Sequence, residues 1–305
     1  MNKIIRAYLL LKKDKRIFFS NCLNHIGFLF PDKIYLKLMF RCKMGYWMNF
    51  DNPTTFSEKL QWLKLYNHNP LYTTLVDKYA VKKWVADKIG ETHIIPMLGV
   101  WNNAKEIDFE SLPNQFVLKT TNGGGGNVVI CKDKSKFDRE KAIVQLNQSL
   151  RNSIYNNYRE WPYKNVPPRI IAEKYMEDES GELRDYKVFC FNGTPKIFLL
   201  YKDRYDEKKM KIDFFDEQKN WLDLTHPEFD RSTEKPALPD CYEKIFSLAK
   251  TLSQSIPFVR CDFYIVNDSI YFGEMTFYPT SGFASYKPFS WEKKMGSWIH
   301  LPNKR

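Results

Sequence analysis

Apolar residues recur at helical spacing in the first quarter of the chain. Between Phe56 and Tyr66, Leu60 and Leu63 lie three residues apart and share one face of a predicted helix. Ser57, near the start of this segment, is a candidate N-cap because its hydroxyl oxygen can accept from a free backbone N–H. We therefore predict that residues 1 to about 75 are mainly helical.

A second amphipathic segment spans residues 77–89. Trp84, Val85 and Ile89 can share one face of a helix, because they are spaced by one and four residues. Gly90 follows directly and is a plausible end of this helix, since glycine readily adopts the left-handed conformation that closes many helices.

Beyond Pro96 the pattern changes to short runs rich in β-branched and aromatic residues, which predict strands. Helical patterns at about 138–158 and 240–256 interrupt these runs. A helical lead followed by meandering antiparallel strands argues against a regular βαβ repeat and predicts an α+β fold. The predicted strands are Gln115–Thr121, Asn127–Cys131, Arg169–Tyr175, Tyr186–Phe191, Lys196–Tyr201, Lys211–Phe215, Pro257–Val266 and Ile270–Phe277.

Composition adds a charge preference to this picture. The 305 residues are 43% hydrophobic, enough for a substantial core, and 47 Lys and Arg against 36 Asp and Glu leave a net charge of +11. Such a surface attracts anions, but nucleotides, nucleic acid, lipid headgroups and acidic polymers all satisfy that condition. The six cysteines form no C-x-x-C pair, which favours reduced thiols in the cytosol over a zinc site or a disulfide framework.

The N-terminal apolar stretches are too short to cross a membrane. Charged or polar residues interrupt Ala7–Leu11 and Ile26–Phe30 well before the ~18 residues that a spanning helix needs. We expect no signal peptide and no transmembrane segment. The basic segment Lys3–Arg16 is either an ordinary packing helix or a contact with an anionic membrane surface.

Four consecutive glycines, Gly123, Gly124, Gly125 and Gly126, lie between two predicted strands. Such a run costs backbone entropy, so it indicates a flexible hairpin or a loop whose N–H groups cover phosphate oxygens. Lys119, near the end of the incoming strand, would then supply a point charge. No Gly-Lys-Ser/Thr ends the run and a strand follows it, so a Walker A loop is disfavoured.

The C-terminal strands carry paired carboxylates. A hairpin centred on Asp268 places Asp262 opposite Glu274, about 5 Å apart at Cβ on one face. Like charges there are destabilising unless a cation lies between them, and Mg²⁺ is suited because it takes one or two carboxylates and completes its shell with phosphates. Arg260 and Thr276 share this face, where Arg260 could stabilise a transferred phosphoryl group. A slip of one residue would separate the two carboxylates.

A third segment links these features. The apolar strand that ends at Glu173, Lys174, Tyr175 and Met176 offers free backbone groups and an apolar wall on which an adenine can lie. On the following strand, Asp185 and Lys187 alternate to one face. A carboxylate there could accept from a ribose hydroxyl and a lysine could contact phosphate. These last features equally fit an ordinary lysine-rich surface.

Together these features resemble the ATP-grasp superfamily. The segments Asn52–Leu65 and Leu75–Lys82 are similar to the TupA-like family, which is implicated in teichuronopeptide and other surface-polysaccharide synthesis. The resemblance covers about residues 30–300 and implies two α+β subdomains whose antiparallel sheets clasp ATP. The expected divisions are a helical region at 1–75, a small subdomain with its lead-in at 76–175, and a C-terminal subdomain at 176–305.

The resemblance also implies roles for individual residues. Two lysines and the glycine-rich loop would contact the nucleotide phosphates, and a hinge would hold the adenine. By position these are Lys78 and Lys119 with Gly123 to Gly126; the hinge residues Glu173, Lys174, Tyr175 and Met176; Asp185 for the ribose; Lys187 for phosphate or substrate; Arg260 as the transition-state cation; and Asp262 with Glu274 as Mg²⁺ ligands. Many members have Glu-x-Asn at the second carboxylate, and this chain has Thr276 in place of the asparagine. A hydroxyl is a weaker ligand than a carboxamide, so both a one-metal and a two-metal site are open alternatives.

The implied activity is an ATP-dependent carboxylate–amine ligase that forms an amide through an acyl phosphate. The implied partners are ATP, a uronic acid of a surface glycan or its precursor, and an amino acid or amine, with no nucleic acid expected. The implied location is the cytoplasm, with the inner face of the membrane as a second option. Two rivals are a glycosyltransferase, for which the chain lacks an Asp-x-Asp motif on an apolar strand end, and a non-catalytic polyanion-binding protein.

Overall fold

The fold is described from a computed structural model, which covers residues 14–123, 128–178, 184–202 and 209–304. Its helices, numbered in chain order, concentrate in the first third of the chain and then occur singly between strands. They are α1 (Lys15–Ile26), α2 (Asp32–Met44), α3 (Phe56–Tyr66), α4 (Leu71–Val76), α5 (Ala80–Ile89), α6 (Arg139–Leu150), α7 (Ile154–Tyr158), α8 (Tyr242–Leu252) and α9 (Phe289–Trp298).

The strands that the structure describes form two separate antiparallel sheets. The strands are β1 (Met97–Trp101), β2 (Phe116–Thr120), β3 (Val128–Cys131), β4 (Ile170–Lys174), β5 (Asp185–Phe191), β6 (Thr194–Lys202), β7 (Lys211–Phe215), β8 (Phe258–Val266) and β9 (Ser269–Thr276). Among the described residues, the first sheet has the order β1-β4-β2-β3 and the second has the order β7-β6-β5-β8-β9. The two antiparallel sheets and their helices confirm the predicted α+β class.

The predicted strands are found within two residues of their expected ends, but the sequence pattern missed β1 and α9. Strand β1 lies at the edge of its sheet with Met97, Leu98 and Val100 all exposed, so its side chains do not alternate between an apolar and a polar face. Helix α9 contains Gly296, a poor helix former.

The N-cap of helix α3 lies two residues before the predicted one. Thr55 is the N-cap, and it forms a capping box with Glu58. The prediction that Ser57 caps this helix is therefore wrong. The Ser57 hydroxyl instead donates to the carbonyl of Ala284 at 3.1 Å, so it ties α3 to the C-terminal part of the chain.

Two hydrophobic cores are present in the described part of the chain. The larger core joins the N-terminal helices to the second sheet, and Phe56 of α3 packs against the rings of Phe189 and Phe258. The smaller core lies under the first sheet and includes Phe116 and Leu146. The N-terminal helices thus share a core with the sheet at the far end of the chain, while the domain boundaries given above stay a prediction. Within the described part of the chain, no helix is both long and apolar enough to cross a membrane.

A close backbone contact fixes α9 against the start of α3. A Cβ added at Gly296 would lie 2.2 Å from the carbonyl oxygen of Thr54 and 2.9 Å from the backbone nitrogen of Phe56. Both are backbone atoms, which cannot move aside as a flexible side chain can. Only glycine therefore allows this approach.

We expect Gly296→Ala to lower the free energy of unfolding by about 1–3 kcal/mol, because the added methyl group forces the two backbones apart. In an unhindered helix the same change would be stabilising by up to ~1 kcal/mol. Urea denaturation measures the difference. Lys293→Ala, at an exposed position of the same helix, is the control and should be close to neutral; a neutral Gly296→Ala would contradict the close contact.

Candidate functional site

The paired carboxylates of the last hairpin face each other as predicted. Strands β8 and β9 pair antiparallel, and Asp262 is the register partner of Glu274. Asp262 is 1% exposed, whereas the side chain of Glu274 is 38% exposed. The pair therefore has a buried member and a member that reaches the surface of the cleft.

The register is reached by a different route from the one predicted. The turn contains two residues, Asn267 and Asp268, with φ of 46° and 61°, and strand β9 already begins at Ser269. This turn alone would place Asp262 opposite Gly273. A register shift between Asp262 and Phe263 inserts one residue and restores the Asp262 to Glu274 pairing.

Gly273 is suited to this β-bulge because the space around it is small. A Cβ there would lie 3.0 Å from the ring of Tyr264 and 3.2 Å from the carbonyl oxygen of Asp262. The absence of a side chain at this position thus allows the irregularity that brings both carboxylates to one face.

A guanidinium group lies between the two carboxylates. Arg260 donates to Asp262 through Nε at 2.6 Å and through Nη2 at 2.7 Å, and the same Nη2 donates to Glu274 at 3.0 Å. The hydroxyl of Thr276 also accepts from Arg260 at 3.0 Å. The cation that relieves the repulsion in this structure is therefore an arginine of the same hairpin.

The neighbouring strand adds a second cation to Asp262. Lys187 on β5 is in register with Asp262, and its Nζ donates to the carboxylate at 2.6 Å. Asp185, 3% exposed, lies with a carboxylate oxygen 3.6 Å from the same Nζ. In this arrangement Asp185 lies beside Lys187 within the sheet.

The charges of the hairpin support one another. Burial alone would raise the pKa of Glu274, but Lys78 and Arg260 outweigh it and lower the value to about 2. Burial likewise opposes the charge of Arg260 and of Lys187, yet Asp262 outweighs it and raises the pKa of both cations. Glu274, Arg260 and Lys187 are therefore charged at neutral pH, whereas burial raises the pKa of Asp262 against the effect of the two cations.

A second buried ion cluster lies on the first sheet. Glu173 on β4 contacts Lys82 Nζ through Oε1 at 2.5 Å and Lys119 Nζ through Oε2 at 2.6 Å. Burial disfavours its charge, but the two lysines outweigh that cost and lower the pKa of Glu173 to about 2. Lys119 on β2 is thus held in place by a carboxylate of the adjacent strand.

Lys78 connects the two clusters. Its Nζ donates to the carbonyl oxygen of Gly123 at 2.9 Å and lies 4.0 Å from Oε2 of Glu274. Asp77 accepts from the backbone nitrogen of Tyr79 at 2.9 Å, which orders the turn that carries Lys78. The predicted phosphate lysines and the predicted metal carboxylates therefore meet in one cleft between the sheets.

Part of the predicted site lies outside the residues that the structure describes. Gly123 is described and accepts from Lys78, whereas Gly124, Gly125 and Gly126 lie outside the described residues. So does most of the basic segment Lys3–Arg16, of which 14–16 are described.

The proposed adenine hinge connects the two sheets. Lys174 ends β4 and its backbone nitrogen donates to the carbonyl of Pro96, while Tyr175 and Met176 lie in the irregular stretch that leads towards β5. The Glu173 carboxylate is turned towards the lysines rather than towards a free position at the hinge. A small cavity between the sheets includes Lys78, Lys82, Lys119, Glu173, Phe272 and Gly273 in its lining.

Sequence reasoning missed Lys82, although a signal was present. Lys82 lies four residues after Lys78, a spacing that puts two side chains on the same side of a helix. The distinction between Lys82 and the exposed Lys83 is clear only once the position of β4 is known.

A strained turn follows the last hairpin, in the segment Tyr278–Phe283 that is expected from the sequence to form part of the substrate wall. Thr280, Ser281 and Gly282 follow β9 with φ of 49°, 53° and 68°, which is unfavourable for the two residues that have side chains. Helix α3 holds this turn: Lys64 Nζ donates to the Ser281 carbonyl at 2.6 Å and Gln61 Nε2 donates to the Gly282 carbonyl at 2.8 Å.

Glu160 is the buried carboxylate next to this turn. It is 6% exposed and accepts from the Ser281 hydroxyl at 2.6 Å. Burial raises the pKa of Glu160, although Lys64 opposes this, and the negative charge of Glu274 raises it further. Glu160 therefore lies close enough to Glu274 for their charges to interact, and nothing in the sequence pattern around Glu160 marks it.

A scan against protein families matches residues 58–300 to the family described as TupA-like ATPgrasp. The chain belongs to the TupA-like ATPgrasp family. The match confirms the resemblance inferred from the sequence and the predicted ATP-grasp fold. A search of curated proteins found no match.

Solved structures similar to this TupA-like chain include two D-alanine–D-alanine ligases. The ligase from Bacillus anthracis is 15% identical with a TM-score of 0.39, over 67% of this chain and 57% of its own. The ligase from Helicobacter pylori is 15% identical with a TM-score of 0.45, over 81% and 69%. An ADP complex of N5-carboxyaminoimidazole ribonucleotide synthetase is 15% identical with a TM-score of 0.41, over 72% and 50%. The chain thus spans little more than half the length of the Bacillus anthracis ligase.

The buried cluster of this TupA-like protein predicts a pH-dependent stability. Glu173→Gln should lower the free energy of unfolding at pH 7 by about 3 kcal/mol, because two buried lysines lose their counter-charge. The pKa of Glu173 is depressed to about 2 in the folded state. Its contribution is therefore present above its ordinary value of about 4.5 and is lost as the pH falls towards 2. The difference in the free energy of unfolding between wild type and variant should become smaller over that range, as measured by urea denaturation.

Glu110→Gln is the matched control for this experiment. Glu110 also pairs with a cation, Arg139 at 2.7 Å, but its side chain is 74% exposed. Exposed ion pairs contribute little, so this variant should remain close to wild type at every pH. If the difference in unfolding free energy between wild type and Glu173→Gln stayed constant from pH 7 to pH 3, the ionised state of the buried cluster would be contradicted.

Proposed function

We propose that this protein is an ATP-dependent carboxylate–amine ligase. Its reaction would convert a substrate carboxylate to an acyl phosphate, which an amine then attacks to give an amide, ADP and phosphate. We further propose that the carboxylate belongs to a uronic acid of a surface polysaccharide or its precursor and that the amine is an amino acid or related compound, as the family context suggests.

One observation carries this proposal: phosphate-seeking cations from both sheets and a pair of carboxylates meet in one cleft. Lys119 comes from β2 and Lys187 from β5, while Lys78 lies within 4.0 Å of Glu274. These groups are mostly buried, so their charges act in a medium of low dielectric constant, where they are stronger than in water. Charges exposed on an ordinary surface patch would not each need a partner of opposite charge.

The chain's own residues would act by positioning and charge neutralisation. Lys78 and Lys119 would hold the nucleotide phosphates, and Lys187 and Arg260 would neutralise the charge that develops on the transferred group. Arg260 is already held by two contacts to Asp262. It therefore needs little reorganisation when the reaction occurs.

The donor set at the hairpin fits Mg²⁺. Asp262, Glu274 and the hydroxyl of Thr276 offer the hard oxygen ligands that this ion prefers. Over the described ranges, with their gaps at 124–127, 179–183 and 203–208, no group of three or more acidic, histidine or cysteine side chains is placed to hold a metal. A site of two carboxylates is the usual protein share for Mg²⁺ bound with nucleotide phosphates, whose charge the bound ion would help to neutralise.

The remaining ligand contacts follow the same proposal. Lys174, Tyr175 and Met176 would hold the adenine through the backbone between the sheets, and Asp185 would contact the ribose. Glu173 would act through Lys119, which it contacts at 2.6 Å. The glycine-rich loop from Gly123 would cover the phosphates and keep water from the acyl phosphate.

We place the reaction in the cytoplasm, where ATP is supplied. The six cysteines are all free thiols, which suits a reducing compartment. Three of them, Cys131, Cys190 and Cys261, are buried and behave as small apolar side chains.

A screen of ADP release tests this function. Purified protein is incubated with ATP, Mg²⁺ and pairs of uronic acids and amino acids, and products are examined for a new amide. ADP without an amide would indicate a phosphotransferase that stops at phosphorylation. No ADP release with any pair, and no thermal shift with Mg²⁺ and ATP, would contradict the proposal.

With the substrate pair that gives ADP release, Asp262→Asn should lower the rate of ADP formation by about 10²-fold or more. The reason is that Arg260 and Lys187 lose their carboxylate partner and the metal loses a ligand. Since Asp262 is buried, Glu274→Gln is tested alongside; its partly exposed side chain makes a folding defect less severe. Asp268→Asn changes an exposed carboxylate in the turn of the same hairpin and should leave ADP formation unchanged. Full activity in both site variants would contradict the assigned roles.

A further inference from the structure

The connection between α1 and α2 exposes large apolar side chains to solvent. Phe28 is 80% exposed and Leu29 is 65% exposed, and Ile26 and Ile34 beside them are 42% and 49% exposed. We call these four side chains the apolar tip. Such exposure of neighbouring apolar residues is costly in water and commonly marks a surface that contacts a protein or a membrane.

Most of the net charge of the chain lies in the sequence segment that contains this tip. Residues 1–47 contain ten Lys and Arg against two Asp, a net charge of +8, whereas the whole chain has +11. On the described helices, Lys15, Arg16, Lys33, Lys37 and Arg41 are all exposed. The remaining 258 residues therefore contribute only +3. Within the described residues 14–47, six Lys and Arg against two Asp leave a net charge of +4 near the apolar tip.

The carboxylates of the two acidic residues of this region are used in contacts within the protein. Asp14 caps α1 by accepting from the backbone nitrogens of Arg16 and Ile17. Asp32 accepts from Arg159 Nε at 2.8 Å and from the Tyr155 hydroxyl at 2.8 Å. Both carboxylates are engaged in holding the structure, and the exposed cations remain available to a partner.

The tip is fixed to the rest of the molecule by buried polar contacts. Arg159 Nη2 donates to the carbonyl oxygen of Gly27 at 2.8 Å, and its guanidinium lies 4.3 Å from the ring centroid of Tyr35. Arg159 directly precedes Glu160, which accepts from the Ser281 hydroxyl in the turn after β9. A partner bound at the tip would therefore have a defined orientation relative to the cleft.

A combination of exposed apolar and basic side chains selects one class of partner. An anionic lipid surface accepts apolar side chains at the acyl boundary and attracts cations at the headgroups. A second copy of this chain would bring two such basic surfaces together, which electrostatic repulsion opposes. A nucleic acid would use the cations but gives Leu29 and Ile34 no apolar environment.

We propose that α1 and α2 dock this protein on an anionic membrane surface, with the apolar tip in the interface and the flanking lysines and arginines against the headgroups. The docked protein stays peripheral to the membrane. The proposal is independent of the ligase reaction, because it uses none of the residues assigned to that site.

Sedimentation with lipid vesicles tests this docking. The full chain is mixed with vesicles of phosphatidylcholine alone or of phosphatidylcholine with phosphatidylglycerol. Binding is expected only to the anionic vesicles and should weaken as salt is raised. Lys37→Ala should reduce the partition coefficient about fivefold, the usual effect of one cation near such a surface.

A double variant, Phe28→Ser with Leu29→Ser, isolates the apolar contribution. It should reduce vesicle binding by at least about tenfold, because two large side chains no longer enter the interface. Val144→Ser is the matched control, since Val144 is 57% exposed on α6, in the part of the chain that packs on the first sheet. It should bind like wild type. Unchanged thermal melting shows that the double variant is folded.

Three outcomes would overturn the proposal. The first is no binding of the wild type to anionic vesicles at low salt. The second is equal binding by the double variant, which would leave a purely electrostatic contact such as that with nucleic acid. The third is a dimer, seen by sedimentation equilibrium, that dissociates in the double variant, which would make a second copy the partner of the tip.

Discussion

The arginine between two carboxylates on the last hairpin is the interaction on which the candidate site depends. Asp262 and Glu274 face each other, and buried like charges cannot remain so without a cation between them. Arg260 supplies that cation and Lys187 adds a second one from the neighbouring strand. The same pairing that stabilises the hairpin leaves carboxylate and hydroxyl oxygens at the edge of the cleft. Structure and proposed chemistry therefore use the same charges.

The two sheets contribute complementary halves of this cleft. The first sheet holds Lys119 through Glu173, and the second holds Lys187 through Asp262. Each cation is anchored by a carboxylate on an adjacent strand, so its position is set by the sheet and not by a mobile loop. Lys78 is the connection, because it contacts the start of the glycine-rich loop and lies near Glu274. A ligand bound between the sheets would meet cations whose positions are already fixed.

The N-terminal helices have a structural role at the cleft and expose a separate surface. Through Lys64 and Gln61, helix α3 holds a turn whose backbone is strained at Thr280 and Ser281. Strain of this kind persists only where the surroundings impose it, and it commonly occurs at functional sites. The first two helices instead present apolar and basic side chains outward. The exposed cations of these two helices, Lys15, Arg16, Lys33, Lys37 and Arg41, are not among the residues of the cleft, so this basic surface and the candidate site are separate features.

The sequence by itself determined much of the local structure: strands β2 to β9, the helix that ends at Gly90 and the alternation that puts Arg260 and Asp262 on one face. These features depend on periodicity and backbone preference, which neighbouring residues set. The tertiary structure decided which charges pair. Lys82 became a site residue because β4 brings Glu173 to it, and Glu160 because a turn more than a hundred residues later brings Ser281. The bulge at Gly273 likewise restored a register that the two-residue turn alone would have shifted. Buried charges respond to every neighbour in space, and that arrangement is not written in the spacing of any single segment.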